Sequence, residues 1–424
     1  MIHAKRNQWK SYEELKEIQL KKLKKIVYHA YHNVNLYHKI FKQNNLLPSD
    51  IKSLDDLNKI PTISKEDIRA NYPDNIISKT VNFSKCKIWQ TSGSSGLPMK
   101  MIYDQRADDF ANSIILRSYI ENGLRYFDKW CVMGPDDYIR DKPKRFLITQ
   151  KMGFLSPYYV SIFETMEKKV SLIRRYKPRV LDSLSNDLYL LAKYIEKNDI
   201  KDINPEIVTT NGEVLVSSMR DYINKIFNVK LSDLYGCYEL RRTAWECQCH
   251  EGYHIDVDSL IMQFIRDNEE VSSGERGNIV FTGLYNYAMP IIRYDIGDIG
   301  IPLDVKCSCG RGLPLMKLIE GKLMDFLVTQ NGDLISPYQV KISITDNVQG
   351  IDLLKIIQHS KENIKIKIVK NNNYTEKSTS KLNDVIRDFL GKDVELDIEF
   401  VDEIKRVGRK YKVVESRISS AKVI

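Results

Sequence analysis

Apolar spacing divides this chain into three textures. Near the N-terminus Leu15, Ile18, Leu23, Ile26 and Ala30 recur at helical intervals, with lysines along the other face. The pattern predicts helices over 11–45, opened by the capping-box pair Ser11 and Glu14. A second box, Ser64 with Asp67, predicts another helix after PTI. From about residue 178 short apolar runs alternate with amphipathic ones. A strand over 179–182 leads to a helix in DLYLLAKYIEKN, then a strand and loop in PEIVTTNGE. A helix in SSMRDYINKIF and a strand and loop in VKLSDLYG follow. Such alternation predicts parallel strands joined by crossover helices. Beyond about residue 322 the texture changes again. IDLLKIIQHS and NIKIKIVKN read as consecutive strands, STSKLNDVIRDFLG as a helix and VELDIEFVDEI as a final strand.

The expected fold class is therefore α/β: a large N-terminal α/β domain over 1–320, helical over 1–80, plus a small C-terminal α+β domain over 321–424. The joint falls near GKLMDFLVTQNGDLISP. In open α/β sheets the ligand crevice lies outside the carboxyl ends of the strands. The polar, glycine-containing loops 209–213 and 235–239 sit at two such ends, so a small-molecule site is the expectation. TSGSSGLPMK at 91–100 adds a bare, donor-rich backbone. Gly93 and Gly96 allow close approach and positive φ, while Thr91, Ser92, Ser94 and Ser95 offer hydroxyls that suit a polyphosphate. The GK[ST] ending of a Walker loop is absent.

Charge narrows the partners a little. Among 424 residues, 65 are basic and 56 acidic, a net +9 spread along the chain. That favours an anionic ligand, yet no dense basic stripe with interleaved aromatics points to nucleic acid. No apolar run reaches the length of a membrane span and no signal-peptide core opens the chain, so the expectation is a cytoplasmic protein. The sequence is silent on oligomeric state. Seven cysteines, an odd number, include two CxC pairs, which suits a reducing compartment better than a disulfide framework. ECQCHEGYH supplies Cys247, Cys249, His250 and His254, and CSCGRG supplies Cys307 and Cys309. These soft ligands suit a tetrahedral structural zinc held by Cys247, His254, Cys307 and Cys309, with Cys249 as the substitute. Reduced, unliganded thiols are the alternative. No HExxH-like helix suggests a catalytic zinc.

In order along the chain stand TSGSSGLPMK, TTNGEVL, DLYGCYEL, MPIIRYDIGDIG, IEGKLMDFLV with NGDLISP, and RVGRKYK. This series resembles the adenylate-forming superfamily of acyl-CoA synthetases and adenylation domains. Within it the chain is most similar to the phenylacetate–CoA ligase branch, including relatives from capsular polysaccharide gene clusters. The N-terminal stretch IVYHAYHNVNLYHKIF…LPSDIKSLDDLNKIPTISKEDIR shares the style of that branch.

The resemblance implies ATP-dependent activation of a carboxylic acid as an acyl-adenylate with magnesium, then transfer to coenzyme A. An amine acceptor such as an amino sugar, or a catalytically silent nucleotide-binding scaffold, are the alternatives. It also implies that 1–320 is the adenylating domain and 321–424 a mobile lid. Thr91, Ser92, Gly93, Ser94, Ser95 and Gly96 would cradle the β- and γ-phosphates. Asn211, Gly212 and Glu213 would border the adenine, with Tyr235, Gly236 and Tyr238 in the adjoining loop and Tyr235 stacking on the base. Glu239 would bind magnesium, and Asp298 would accept hydrogen bonds from the ribose hydroxyls. Lys410 would be the catalytic lysine, with Lys405 and Lys412 as nearby rivals. Asp325 or Lys322 would sit at the hinge, with Lys322 at the family's ribose-contact position. The chain departs from the family pattern at Tyr238, at Lys322 and at Arg409. Several members of the branch hold a zinc in the region of the two CxC pairs. Trp130, Phe154, Tyr158, Tyr159 and Trp245 are available to line the acid pocket. Taken singly, each of these residues also fits an ordinary structural role: Asp298 a turn cap, the tyrosines core, Glu239 a surface ion pair with Arg241 or Arg242.

Overall fold

The computed structural model describes residues 2–90, 99–135, 153–213, 215–320, 327–331, 334–335, 340–341, 343–344, 347–406 and 411–418. They gather into two compact units, residues 1–123 with 232–319 and residues 124–231 with 320–424.

In the first unit the predicted N-terminal helices are Tyr12–Asn33 and Asn35–Gln43, parted where Val34 turns extended. The Ser11–Glu14 box closes as expected, with each side chain bonding the other residue's backbone N–H. Leu15, Leu23, Ile26 and Ala30 are buried, and the Gln19 side chain donates to the Leu260 carbonyl at 2.8 Å, pinning the helix to a strand. Ser64 and Asp67 likewise cap Lys65–Ala70.

The sheet of this unit starts at Ser232–Cys237. Outward from it lie Arg241–Glu246, Tyr253–Ile255, Leu315–Glu320, Tyr294–Leu303, Gly277–Gly283, Leu260–Arg266 and Glu269–Glu270. Ser232–Cys237, Arg241–Glu246 and Tyr253–Ile255 pair antiparallel in succession, through turns too short for a crossover helix. The regular alternation stops here, which the apolar pattern alone did not announce. Beneath the sheet, buried Arg117 reaches Asp256 at 2.5 Å and Asp258 at 2.8 and 3.0 Å, and the Trp245 indole donates to Asp256 at 2.9 Å.

The second unit carries the predicted crossover pattern. Ile207–Asn211, Val180–Leu184, Trp130–Gly134 and Tyr158–Ser161 lie side by side in that order, all parallel. Helices Met166–Tyr176, Ser185–Lys197 and Ser217–Phe227 bury Ile173, Leu188, Leu191 and Ile223 in its core. A second sheet runs Glu395–Phe400, Asn363–Lys370, Ile351–Gln358, Val414–Ser416. Helix Glu376–Leu390 packs Leu382, Ile386 and Leu390 into the same core as Ile364, Ile366 and Ile368. The strand Val414–Ser416 follows the one expected to be last and pairs parallel with Ile351–Gln358. At 3 residues it is too short for a period-two pattern to show. Among the described residues no helix is long and apolar enough to cross a membrane.

Candidate functional site

Each unit presents acidic side chains at the ends of its strands, and the two sets are held differently. In the first unit, Ser232–Cys237 runs into the loop that bears Tyr238 and Glu239 and returns as Arg241–Glu246. The turn is tight. A Cβ on Gly236 would lie 2.3 Å from the Arg241 carbonyl oxygen, and Arg241 itself adopts φ 65°. Glu239, only 6% exposed, thereby faces inward. Its Oε1 accepts the Tyr294 hydroxyl at 3.0 Å and its main-chain carbonyl accepts the Tyr103 hydroxyl at 2.7 Å. Among the described residues it makes no ion pair.

Asp298 is placed by an irregularity in Tyr294–Leu303. Asn278 faces Ile299 but Val280 faces Asp295, so the stretch 296–298 bulges from the ladder around Gly297 at φ 78°. Bulges of this kind re-aim side chains. Asp298 Oδ2 accepts the Tyr235 hydroxyl at 2.7 Å. Tyr235 is buried, and burial together with the Asp298 charge holds its phenol well above the usual range, so it stays a donor. The residue expected to stack on a base is thus bonded to the residue expected to hold the sugar. Tyr238 is half-buried beside them.

The cysteine cluster belongs to the same unit. The Sγ atoms of Cys247, Cys307 and Cys309 and a ring nitrogen of His254 all lie within 4.8 Å of one another. Cys247 and Cys307 are 3.6 Å apart, and Cys309 Sγ is 3.4 Å from His254 Nε2. A tetrahedron with Zn–S near 2.3 Å and Zn–N near 2.0 Å has edges of about 3.5–3.8 Å, so the donor set fits that ion. His254 Nδ1 faces the Leu313 carbonyl at 3.4 Å, the kind of partner that fixes the tautomer of a ligating imidazole. Burial pushes this histidine down to about 4, which keeps it neutral at pH 7. Cys249, the substitute in the sequence reading, is exposed and outside the cluster.

In the second unit Ile207–Asn211 ends in Gly212 at φ 77° and Glu213. Asn211 donates to Asp182 at 3.2 Å, and Thr209 donates to the same carboxylate at 2.6 Å. Glu213 Oε2 accepts the backbone N–H and side-chain amide of Asn186, at 3.1 and 3.0 Å, in the first turn of Ser185–Lys197. Its Oε1 accepts the Tyr411 N–H at 3.0 Å. Burial raises this carboxyl's pKa, and burial brings the nearby Lys341 amine down to about 8. Next along the helix, Asp187 takes the Arg406 guanidinium at 2.8 and 2.9 Å and Lys169 at 3.3 Å. None of these cationic partners was legible in the sequence.

Thr91, Ser92, Gly93, Ser94, Ser95, Gly96, Lys322, Asp325 and Lys410 lie outside the described residues. Of the aromatic residues offered for a pocket, Trp130 and Trp245 are core side chains, Tyr158 stacks on Tyr176 at 4.5 Å, and Phe154 on Tyr126 at 5.3 Å.

Comparison with known proteins now gives this arrangement a context. Residues 327–417 match the family model described as the CapK C-terminal domain. A phenylacetate–coenzyme A ligase of Thermus thermophilus is 25% identical over 343 residues, 78% of this chain and 75% of its own length. Protein CapK of Staphylococcus aureus is 24% identical over 411 residues, 93% of this chain and 89% of its own. Among solved structures, 2-hydroxyisobutyryl-CoA ligase with its bound acyl-AMP superposes with a TM-score of 0.80 at 18% identity, covering 97% of this chain and 92% of that one. The chain has the fold of the adenylate-forming CoA ligases. Within that class it is a relative of the phenylacetate–CoA ligases and of CapK.

Proposed function

We propose that this protein is an ATP-dependent adenylate-forming ligase that activates a carboxylic acid and passes the acyl group to coenzyme A. The observation that carries the reading is the pair of tyrosine–carboxylate bonds, Tyr294–Glu239, which is buried, and Tyr235–Asp298, which is half-buried. Glu239 is a buried carboxylate with no ion pair among the described residues, which is a fitting ligand for magnesium. When bound, the metal would neutralise phosphate charge. Asp298 would accept the two ribose hydroxyls while Tyr235 holds its other face.

In the first half-reaction a substrate carboxylate oxygen attacks the α-phosphorus and the bond to the pyrophosphate oxygen breaks. In the second, a thiol attacks the acyl carbon, loses its proton and expels AMP. In-line geometry and charge stabilisation supply the acceleration. The 91–96 loop would hold the β- and γ-phosphates, and Lys410, delivered by the lid over 321–424, would bridge the developing charge. The hinge falls to Asp325 or Lys322 in this reading, Lys322 also lying at the ribose-contact position, and Asn211, Gly212 and Glu213 would border the adenine. Cys247, His254, Cys307 and Cys309 would hold a structural zinc beside the strand leading to Glu239.

An amine acceptor is the alternative that the family resemblance leaves open. ATP–pyrophosphate exchange with aryl, short-chain, hydroxy- and amino acids tests the proposal. Exchange driven by one acid class is expected, and offering CoA and amines to the resulting adenylate then decides the acceptor. ATP binding without exchange for any acid would overturn the ligase reading in favour of a silent nucleotide-binding scaffold.

A further inference from the structure

Glu239 is held from two sides by phenols. Tyr294 donates its hydroxyl to one carboxylate oxygen, and Tyr103 donates to the main-chain carbonyl of the same residue. The first of these has a rigid mount. Tyr294 is 1% exposed and opens the strand Tyr294–Leu303. Its backbone is clamped by Ile63, whose N–H donates to the Arg293 carbonyl at 2.8 Å while the Asp295 N–H donates to the Ile63 carbonyl at 2.9 Å. Arg293, at φ 49°, anchors the same corner with its guanidinium on the Leu57, Asn58 and Ile60 carbonyls at 3.3, 3.0 and 2.7 Å.

The chemistry of the donor matters as much as its position. A buried carboxylate needs partners, and a lysine or arginine in this place would neutralise it. A phenol satisfies one oxygen yet leaves the negative charge intact. Burial and the Glu239 charge push the Tyr294 phenol far above its ordinary range, so it donates at every working pH. The second oxygen, Oε2, takes no hydrogen bond from any described residue.

We propose that Tyr294 is a positioning residue that turns Glu239 so that Oε2 faces the divalent cation of the nucleotide complex. The assignment rests on the reading of Glu239 as a magnesium ligand. It predicts that losing the hydroxyl weakens metal affinity and spares the chemistry once metal is saturating. Partners one shell removed from a metal ligand typically alter affinity by about tenfold or more.

The test compares wild type, Tyr294→Phe and Glu239→Gln in two readouts. The first is ATP–pyrophosphate exchange against free Mg2+; the second is Mn2+ binding in the presence of ATP, followed by electron paramagnetic resonance. Tyr294→Phe should raise the half-saturating metal concentration in both by about tenfold, with exchange at saturating metal close to wild type. Tyr294→His keeps a ring and an N–H donor; it should lie between the two, and it carries the test if the phenylalanine variant fails to fold. Unchanged metal affinity in Tyr294→Phe while Glu239→Gln loses it would overturn the role of Tyr294 and leave Glu239 in place. Wild-type metal affinity in Glu239→Gln would overturn the magnesium reading itself.

Discussion

Two buried carboxylates, Glu239 in the first unit and Asp187 in the second, teach opposite lessons about partners. In the first unit Glu239 receives the Tyr294 hydroxyl. In the second, Asp187 meets two of the protein's own cations, Arg406 and Lys169, with side chains 1%, 9% and 5% exposed. Burial of a carboxylate is expensive in both places. Phenols lower that cost and preserve the charge; a guanidinium removes both together. A site meant for an incoming cation has to choose the first solution, and a contact meant to hold two segments of chain can choose the second. Where the first unit needs rigidity instead of a ligand it also uses its own cation, as the buried Arg117–Asp256–Asp258 network shows.

The largest expected effect comes from the zinc that the cysteine cluster of the first unit would hold. Cys307→Ser, or prolonged chelation, should take the metal content from about one zinc per chain to none and lower that unit's unfolding free energy by about 5 kcal/mol or more. Metal analysis and urea unfolding check it, and a wild type that purifies without metal at full stability sinks the assignment. Next comes Arg406→Met, which leaves Asp187 with Lys169 alone. Removing one partner of a buried pair costs about 3–5 kcal/mol because the remaining charge is stranded. Pairing Arg406→Met with Asp187→Leu in one chain should recover most of that loss. A single variant as stable as wild type would show that Lys169 already suffices.

What the sequence revealed follows from how local each signal is. Capping boxes span four residues, and both formed as read at Ser11 and Ser64. The loops at 209–213 and 235–239 were legible because glycine and polar residues directly follow a β-run. The cysteine cluster was legible because few residue types bind soft metals. Tyr294 was not, since its contact with Glu239 spans 55 residues and its hydroxyl looks like any core tyrosine's; its place beside Asp298 in RYDIGD was the one available hint. Arg406 and Asp187 lie 219 residues apart; Arg406 opens RVGRKYK, but nothing local in that motif points to Asp187 as its partner. Tyr235 illustrates the subtler case, in which the position was readable but the bond it makes, a hydroxyl given to Asp298, depended on a bulge that no periodicity shows.

The smallest expected effect sets the scale for the others. Arg174 and Asp202 form an ion pair at 2.7 Å with both side chains 50% exposed, in the same unit as Arg406 and Asp187. Geometry alone would rank it above the Lys169–Asp187 contact at 3.3 Å. Solvent reverses that order, because water already stabilises both exposed charges and salt screens what remains. Arg174→Ala should therefore shift the urea midpoint by an amount worth under about 0.5 kcal/mol, less still at high ionic strength. A loss comparable to that of Arg406→Met would mean that pairing distance outweighs burial in this unit, and the contrast between Glu239 and Asp187 would lose its physical basis.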